Sequence, residues 1–225
     1  MKKRIILLSA LFLIVLFMEG CAASENDTVS QPETTMYLSY GRGPLSGELV
    51  SHDPKYIYDH YSEFACIGIV EEIQSDSVFV GPKNTPYAGD ALTKATVRVT
   101  EVLKGDLDDT IEVCYVSGTI PIEDYLDHVD YDGPLSREEL KEHYATDEKL
   151  KNLREVSCTS DAAKKVILGQ RTLFILYETP GIDCFILPTH GLTVYLIDGN
   201  DEVFLSQYPK YETLEQLKSE LMGED

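Results

Sequence analysis

The stretch HVDYDGPLSREE carries acidic side chains at intervals that could bind calcium. With His128 as the first position of a twelve-residue calcium loop, Asp130 and Asp132 fall at positions 3 and 5. Glu139 then falls at position 12, where such loops use a bidentate carboxylate, and a glycine stands at the required position 6. The histidine departs from the pattern, because calcium prefers oxygen ligands to a neutral imidazole.

The same acidic stretch therefore allows two interpretations. One is a calcium-dependent interaction module that binds Ca²⁺ through Asp130, Asp132 and Glu139. The other is a turn that leads into a helix, with Ser136 and Glu139 forming a capping box. The capped helix is the simpler interpretation in an acidic chain where aspartate is common. Calcium is the one cofactor that the sequence suggests.

Cysteine supplies a second kind of chemistry. Beyond the N-terminal segment the chain has four cysteines, which are Cys66, Cys114, Cys158 and Cys184. Outside the cytoplasm, four cysteines can form two disulfides in three alternative pairings. No pair has CxxC spacing, which argues against structural zinc and against thioredoxin-type redox chemistry. Because Cys66 and Cys114 fall in predicted strands, buried free thiols are an equal alternative.

Patterns typical of hydrolases are missing from the sequence. The five histidines show no HxxxH or HExxH spacing, and there is neither a GxSxG motif nor a phosphate-binding glycine loop. His190 lies in a predicted loop, PTHG, and could act only together with distant groups. An envelope hydrolase with a dispersed active site, in which His190 lies near two acids, is therefore an alternative to a binding function.

The N-terminus predicts export. Three basic residues precede an uncharged run of 14 residues, IILLSALFLIVLFM. A helix of that length spans about 21 Å, which is too short for a hydrocarbon core of about 30 Å. Basic residues before a short apolar run are typical of an export signal. We expect residues 1–20 to be this signal.

The end of the signal, Gly20-Cys21, resembles a bacterial lipoprotein signal. In that family a small residue precedes a cysteine that receives diacylglycerol and becomes the first residue. The resemblance implies a lipid on Cys21 and a location at the outer face of the bacterial cell membrane. Glu19 departs from the family pattern, which has a small or apolar residue there. The alternative is an ordinary signal peptide cut elsewhere, with Cys21 unmodified or disulfide-bonded.

The net charge limits the partners. The chain has 39 acidic and 19 basic residues, for a formal net charge of −20. The electrostatic field of this negative charge repels phosphate backbones, which argues against nucleic-acid binding. It favours metal cations or a basic partner, although acidity also keeps an exported protein soluble.

Hydrophobic alternation predicts a mainly β domain with some α-helix. After a polar tether over residues 21–35, we expect one domain over residues 36–225. Two predicted hairpins, a helix that begins at Pro54 and a capped C-terminal helix belong to it. The stretch at about 118–169 is predicted to be a helical insertion. The predicted strands are Ala65–Ile73, Ala95–Leu103, Thr110–Val116, Arg171–Tyr177, Cys184–Leu187, Thr193–Ile197 and Glu202–Ser206.

Three segments, ATVRVTEVLKGD, TIEVCYV and GQRTLFILYE, resemble oligonucleotide/oligosaccharide-binding (OB) fold domains similar to the tissue inhibitors of metalloproteinases. Many such domains are uncharacterised bacterial lipoproteins. The resemblance covers Ala65–Val116 and Gly169–Leu187, and it implies a five-stranded Greek-key barrel. The inhibitory activity is not implied, because those inhibitors use a free N-terminal cysteine against the barrel. Here Cys21 would be lipidated and far from the first strand.

The sequence thus predicts a lipid-anchored, extracytoplasmic binding protein of unknown ligand. Its expected contacts are the membrane, through the lipid on Cys21, and a protein or an envelope component.

Overall fold

Long antiparallel hairpins form a curled, open sheet, and the chain is mainly β. The structure is a computed structural model that describes residues 34–40, 54–130, 136–187, 193–204 and 213–223. All of them fall in one unit, Glu33–Asp225. The strands within the described residues are β1 Thr35–Tyr40, β2 Phe64–Ile73, β3 Phe79–Val80, β4 Ala91–Lys104, β5 Thr110–Pro121, β6 Glu155–Ser160, β7 Arg171–Leu176, β8 Phe185–Ile186, β9 Val194–Ile197 and β10 Val203–Phe204.

Four α-helices accompany the sheet in the described part of the chain. They are α1 Pro54–His60, α2 Ile122–His128, α3 Arg137–Thr146 and α4 Leu214–Met222. The helix α4 begins with the predicted capping box, in which the Thr213 hydroxyl accepts from the Gln216 amide. It ends at Gly223, whose φ of 72° is the left-handed conformation that glycine adopts without strain.

The strand order is β1-β6-β5-β4-β2-β7-β9-β10, with β3 paired to β4 and β8 paired to β5. Most neighbours are antiparallel, but β1 runs parallel to β6 and β8 runs parallel to β5. The pairing of β2 with β4 shifts register at three places, one of them between Ile67 and Gly68. Such bulges bend a strand and increase its twist, which curls the sheet around β2.

The strand β7, RTLFIL, is buried on both faces of the sheet. Leu173 and Ile175 pack with α1 and α4 on the outer face. Phe174 and Leu176 lie inside the curl with apolar side chains of β2, β4 and β5. A continuous apolar run is the pattern expected for a strand that is covered on both sides.

The predicted helical insertion at about 118–169 is wrong in part. Strand β5 continues to Pro121, and Glu155–Ser160 forms β6 between β5 and β1. The sequence EVSCTS alternates buried and less buried side chains, a period of two that belongs to a strand. After β6 the chain forms a 3-10 turn at Ala163–Lys165, and the Ser160 hydroxyl accepts from the Ala163 amide.

Residues 1–33 lie outside the described residues, and so do the predicted signal, nearly all of the tether and Cys21. Within the described ranges, no helix combines the length and the apolar character needed to cross a membrane.

Candidate functional site: an acidic groove beside a disulfide

A groove with a volume of about 670 Å³ opens where β5 faces the segment that joins β7 to β8. We call it the acidic groove. Its acidic lining residues are Glu63, Asp108, Glu112, Glu178 and Asp183, and the described residues that line it include no basic side chain. Its volume is within the range of ligand sites, but its lining is more acidic than that of a typical small-molecule pocket.

One wall of the groove is a turn that follows β7. Pro180 and Gly181 form its tip, and Gly181 has a φ of 87°, which a side chain would disfavour. The Ile182 amide donates to the Thr179 carbonyl at 3.0 Å and closes the turn. The amide of Glu178 donates to Glu63 Oε2 at 3.1 Å, which ties the turn to the start of β2.

A disulfide joins Cys114 in β5 to Cys184 at the end of this turn, with Cα atoms 6.0 Å apart. Next to it, Phe185 and Ile186 of β8 pair with β5 over only two residues. The described cysteines therefore form one disulfide and not the two that each of the three alternative pairings requires, and Cys114 is bonded and not a buried free thiol. The disulfide therefore links the turn that forms one wall of the groove covalently to β5.

The other two described cysteines, Cys66 and Cys158, are free and buried. Burial raises the pKa of the Cys66 thiol to about 12. Burial also raises the pKa of Cys158 to about 11, although the Ala91 amide, which donates to its Sγ at 3.4 Å, acts in the opposite direction. Both side chains therefore remain neutral thiols at physiological pH.

Lys94 bridges the two sides of the groove. Its Nζ lies 3.0 Å from Glu112 Oε2 and 3.1 Å from Asp183 Oδ1. Burial by itself lowers the pKa of Lys94, but the hydrogen bonds to both carboxylates outweigh burial and raise it. The hydrogen bond from Lys94 holds the pKa of Asp183 below its ordinary value. One lysine thus positions two of the groove's acids without lining the groove itself.

The carboxylates predicted to bind calcium have other roles where they are described. Asp130 Oδ2 accepts from the Asn84 amide at 3.2 Å. Glu139 Oε2 accepts from the Ser136 amide at 2.7 Å, which is half of the predicted capping box. This backbone hydrogen bond lowers the pKa of Glu139. Asp132 lies outside the described residues, which contain no cluster of three groups able to hold a metal ion.

The predicted hydrolase site cannot be placed, since His190 also lies outside the described residues. The groove acids were not predicted from the sequence, because they come from three separate stretches of chain. One signal was present: Glu112 and Asp183 each stand within two residues of a cysteine of the bonded pair. This proximity can be used for prediction only when the disulfide between Cys114 and Cys184 is already known.

Comparison with family models, curated proteins and solved structures finds no match to this chain. The function is therefore argued from the geometry and charge of the groove.

Proposed function

We propose that this chain is an exported binding protein that holds a basic segment of a partner protein in the acidic groove. A lipid on Cys21 would anchor it to the outer face of the bacterial cell membrane. The observation that carries the binding function is the groove itself, a concavity of about 670 Å³ with five acidic side chains and no basic one among its described lining residues. The chain's net charge of −20 reinforces its preference for a cationic partner.

An OB-type barrel is the fold that we propose around this groove. Five pairings support it: β2 with β4, β4 with β5, β2 with β7, β5 with β8, and the bridge from Tyr177 to Ile186 that brings the end of β7 to β8. We propose that these contacts close five strands into a barrel, as the resemblance implies. The strands β1, β3, β6, β9 and β10 would be additions to this barrel.

The position of the groove agrees with this interpretation. OB-type barrels bind ligands on the face of their second and third strands and at the loops after the first and fourth strands. In the proposed barrel the third strand is β5, and the loop after the fourth strand is the turn at residues 178–184. Both line the acidic groove. The many acids replace the basic residues that a nucleic-acid site needs, and they favour a basic peptide.

Binding of peptides to the full chain in detergent tests this proposal. A lysine–serine decapeptide and a glutamate–serine decapeptide of the same length are titrated by calorimetry at low and high salt. We expect binding of the basic peptide alone, weakening as salt increases, because the charges are partly exposed to solvent. Binding of neutral glycan fragments instead of either peptide would contradict a basic peptide ligand.

Matched variants locate the binding site. Asp108→Asn together with Glu178→Gln removes two exposed groove charges and is expected to weaken the basic peptide about fivefold, at about 0.5 kcal/mol for each charge pair. Asp76→Asn, which is also exposed but outside the groove, should leave affinity unchanged. Equal effects of the groove and control variants would place binding elsewhere.

The anchor is tested separately. Intact-mass analysis of the chain from the membrane fraction should show diacylglycerol on an N-terminal Cys21, and Cys21→Ala should lose the modification and the membrane association. An unmodified Cys21 would remove the anchor without affecting the groove.

A further inference from the structure

The wall of the acidic groove has few non-covalent attachments to the strand that it faces. Strand β8 consists of Phe185 and Ile186, and its pairing with β5 is continued by one hydrogen bond, from the Leu187 amide to the Cys114 carbonyl at 2.9 Å. The ion pair of Lys94 with Asp183 adds little, because the Asp183 side chain is 85% exposed. The covalent link between Cys114 and Cys184 is therefore the strongest attachment of the wall.

We infer that the Cys114–Cys184 disulfide is a redox clamp, which holds the wall of the acidic groove in place and releases it when the bond is reduced. The inference goes beyond the proposed function, since it concerns the wall and holds whatever the groove binds.

The two sulfurs differ in their access to an external thiol. Cys184 lines the groove and is 7% exposed, whereas Cys114 is fully buried. A thiolate of a dithiol reductant that enters from the groove therefore attacks Cys184 Sγ. The S–S bond breaks, its electron pair passes to Cys114 Sγ, and that sulfur takes up a proton. The second thiol of the reductant then attacks the mixed disulfide and releases Cys184, so the reductant leaves as a disulfide.

The chain's own free thiols cannot replace this external reductant. Cys66 and Cys158 are both buried, and their pKa values of about 12 and 11 leave almost no thiolate at neutral pH. Because thiolate is the attacking species in disulfide exchange, the clamp is insulated from internal rearrangement. Its state is then set by thiols and disulfides outside the molecule.

This arrangement makes the state of the groove depend on the redox conditions of the compartment that contains the chain. In a reducing cytoplasm the two cysteines remain thiols, and the wall is held to β5 by the short pairing of β8 and by Lys94, while the Glu178–Glu63 hydrogen bond and the bridge from Tyr177 to Ile186 keep it joined to β2 and β7. In an oxidising compartment an external disulfide accepts two electrons and two protons from Cys114 and Cys184, and the groove becomes complete. A reducing environment at the cell surface would open it again.

Hydrogen–deuterium exchange on the full chain in detergent tests the clamp, with and without dithiothreitol. We expect the amides of Ile182, Ile186 and Leu187 to exchange at least tenfold faster after reduction, while the amides of β2 and β4 keep their rates. The control variant Cys66→Ala retains the disulfide and should respond to dithiothreitol like the wild type. Cys184→Ala should show the fast exchange without any reductant.

Three results would overturn the inference. One is unchanged exchange of the wall after complete reduction, as judged by mass. Another is faster exchange of the amides of β2 and β4 together with those of the wall, which would mean that the disulfide stabilises the whole fold and not the wall alone. The third is alkylation of Cys114 and Cys184 without reductant in chain taken directly from membranes. If Cys184→Ala does not fold, reduction of the folded wild type still decides between these results.

Discussion

The Nζ of Lys104 lies 2.8 Å from the carbonyl oxygen of Ser62 and donates a hydrogen bond to it. It also donates to the Tyr58 carbonyl and, at 3.2 Å, to the Ser62 hydroxyl. The ammonium lies 4.7 Å from the centre of the Tyr58 ring. This lysine at the end of β4 thus satisfies the carbonyls at the C-terminal end of α1 and fixes the helix against the sheet.

Lys104→Met should destabilise the fold, because it removes the charged donor from both part-buried carbonyls, although the Tyr58 carbonyl keeps the hydrogen bond from the Ser62 hydroxyl at 2.6 Å. We expect a loss of about 2 kcal/mol in the free energy of unfolding, the usual cost for hydrogen bonds to a charged group. Chemical denaturation followed by circular dichroism measures it. Lys151→Met is the control, since Lys151 is exposed and pairs with the exposed Glu148. A loss no larger than that of the control would show that Lys104 does not stabilise α1.

A comparison of Gly105 with Gly169 separates two costs of replacing a glycine, the strain of a left-handed backbone and a steric clash. Gly105 has a φ of 76°, and a Cβ there would lie 2.4 Å from Phe64 Cδ1 and 2.9 Å from the Glu63 carbonyl oxygen. Gly169 has a φ of 75° with nothing within 4 Å. Gly169→Ala should therefore cost about 1 kcal/mol for the left-handed backbone alone. Gly105→Ala should cost about 2 kcal/mol more for the clash, measured by thermal unfolding. Equal costs would mean that Phe64 moves aside freely.

The free thiols should respond to pH in a defined order. Their pKa values are raised from an ordinary 9.0, so the folded state holds these protons more tightly and loses stability only as the pH rises above about 9. Iodoacetamide at neutral pH should label neither Cys66 nor Cys158 in the folded chain. The labelling rate of each should rise about tenfold per pH unit, with Cys158 ahead of Cys66. Peptide mapping measures this, and chain in concentrated guanidinium, labelled at both sites, is the control.

Lys94→Met should raise the pKa of Asp183 toward its ordinary value, because the hydrogen bond from Lys94 is the main cause that lowers it. Because that pKa is lowered in the folded chain, the ion pair stabilises the fold at neutral pH and is lost as the pH falls through the pKa of the folded state. The effect on stability is small, since Asp183 is largely exposed, but its carboxyl titration by NMR reports the shift directly. Lys141→Met, which removes the partner of Asp127 instead, should leave the Asp183 titration unchanged.

Calcium should leave the melting temperature unchanged. Glu139 is already engaged by the Ser136 amide, and Asp130 by the Asn84 amide, so a bound ion would have to displace both contacts. Thermal unfolding with millimolar Ca²⁺ or with a chelator measures this. A higher melting temperature in calcium that disappears in Asp132→Asn would restore the calcium module.

Local sequence patterns correctly predicted the elements that depend on residues close together in the chain. An apolar run located β2, and alternation located β4 and β5, although β4 starts at Ala91 and β5 ends at Pro121, beyond the predicted limits. The capping boxes at Ser136 and Thr213 are confirmed, because a cap depends on residues three positions apart.

The remainder depends on distant partners. Strand β6 was missed because its sequence, EVSCTS, is polar enough to read as a connection, and it becomes a strand through β5 and β1 on either side. The pairing of Cys114 with Cys184 and the groove beside them arise when β8 is brought to β5 from far along the chain. No local pattern carries that information.

The parallel pairing of β1 with β6 has a consequence for folding order. Thr35 lies opposite Glu155, so the first described strand has no neighbour until more than half of the chain has been made. Contacts between such distant segments slow folding, because a long loop must close before they form. During synthesis β1 would therefore wait without a strand partner, and its place in the sheet would be filled late.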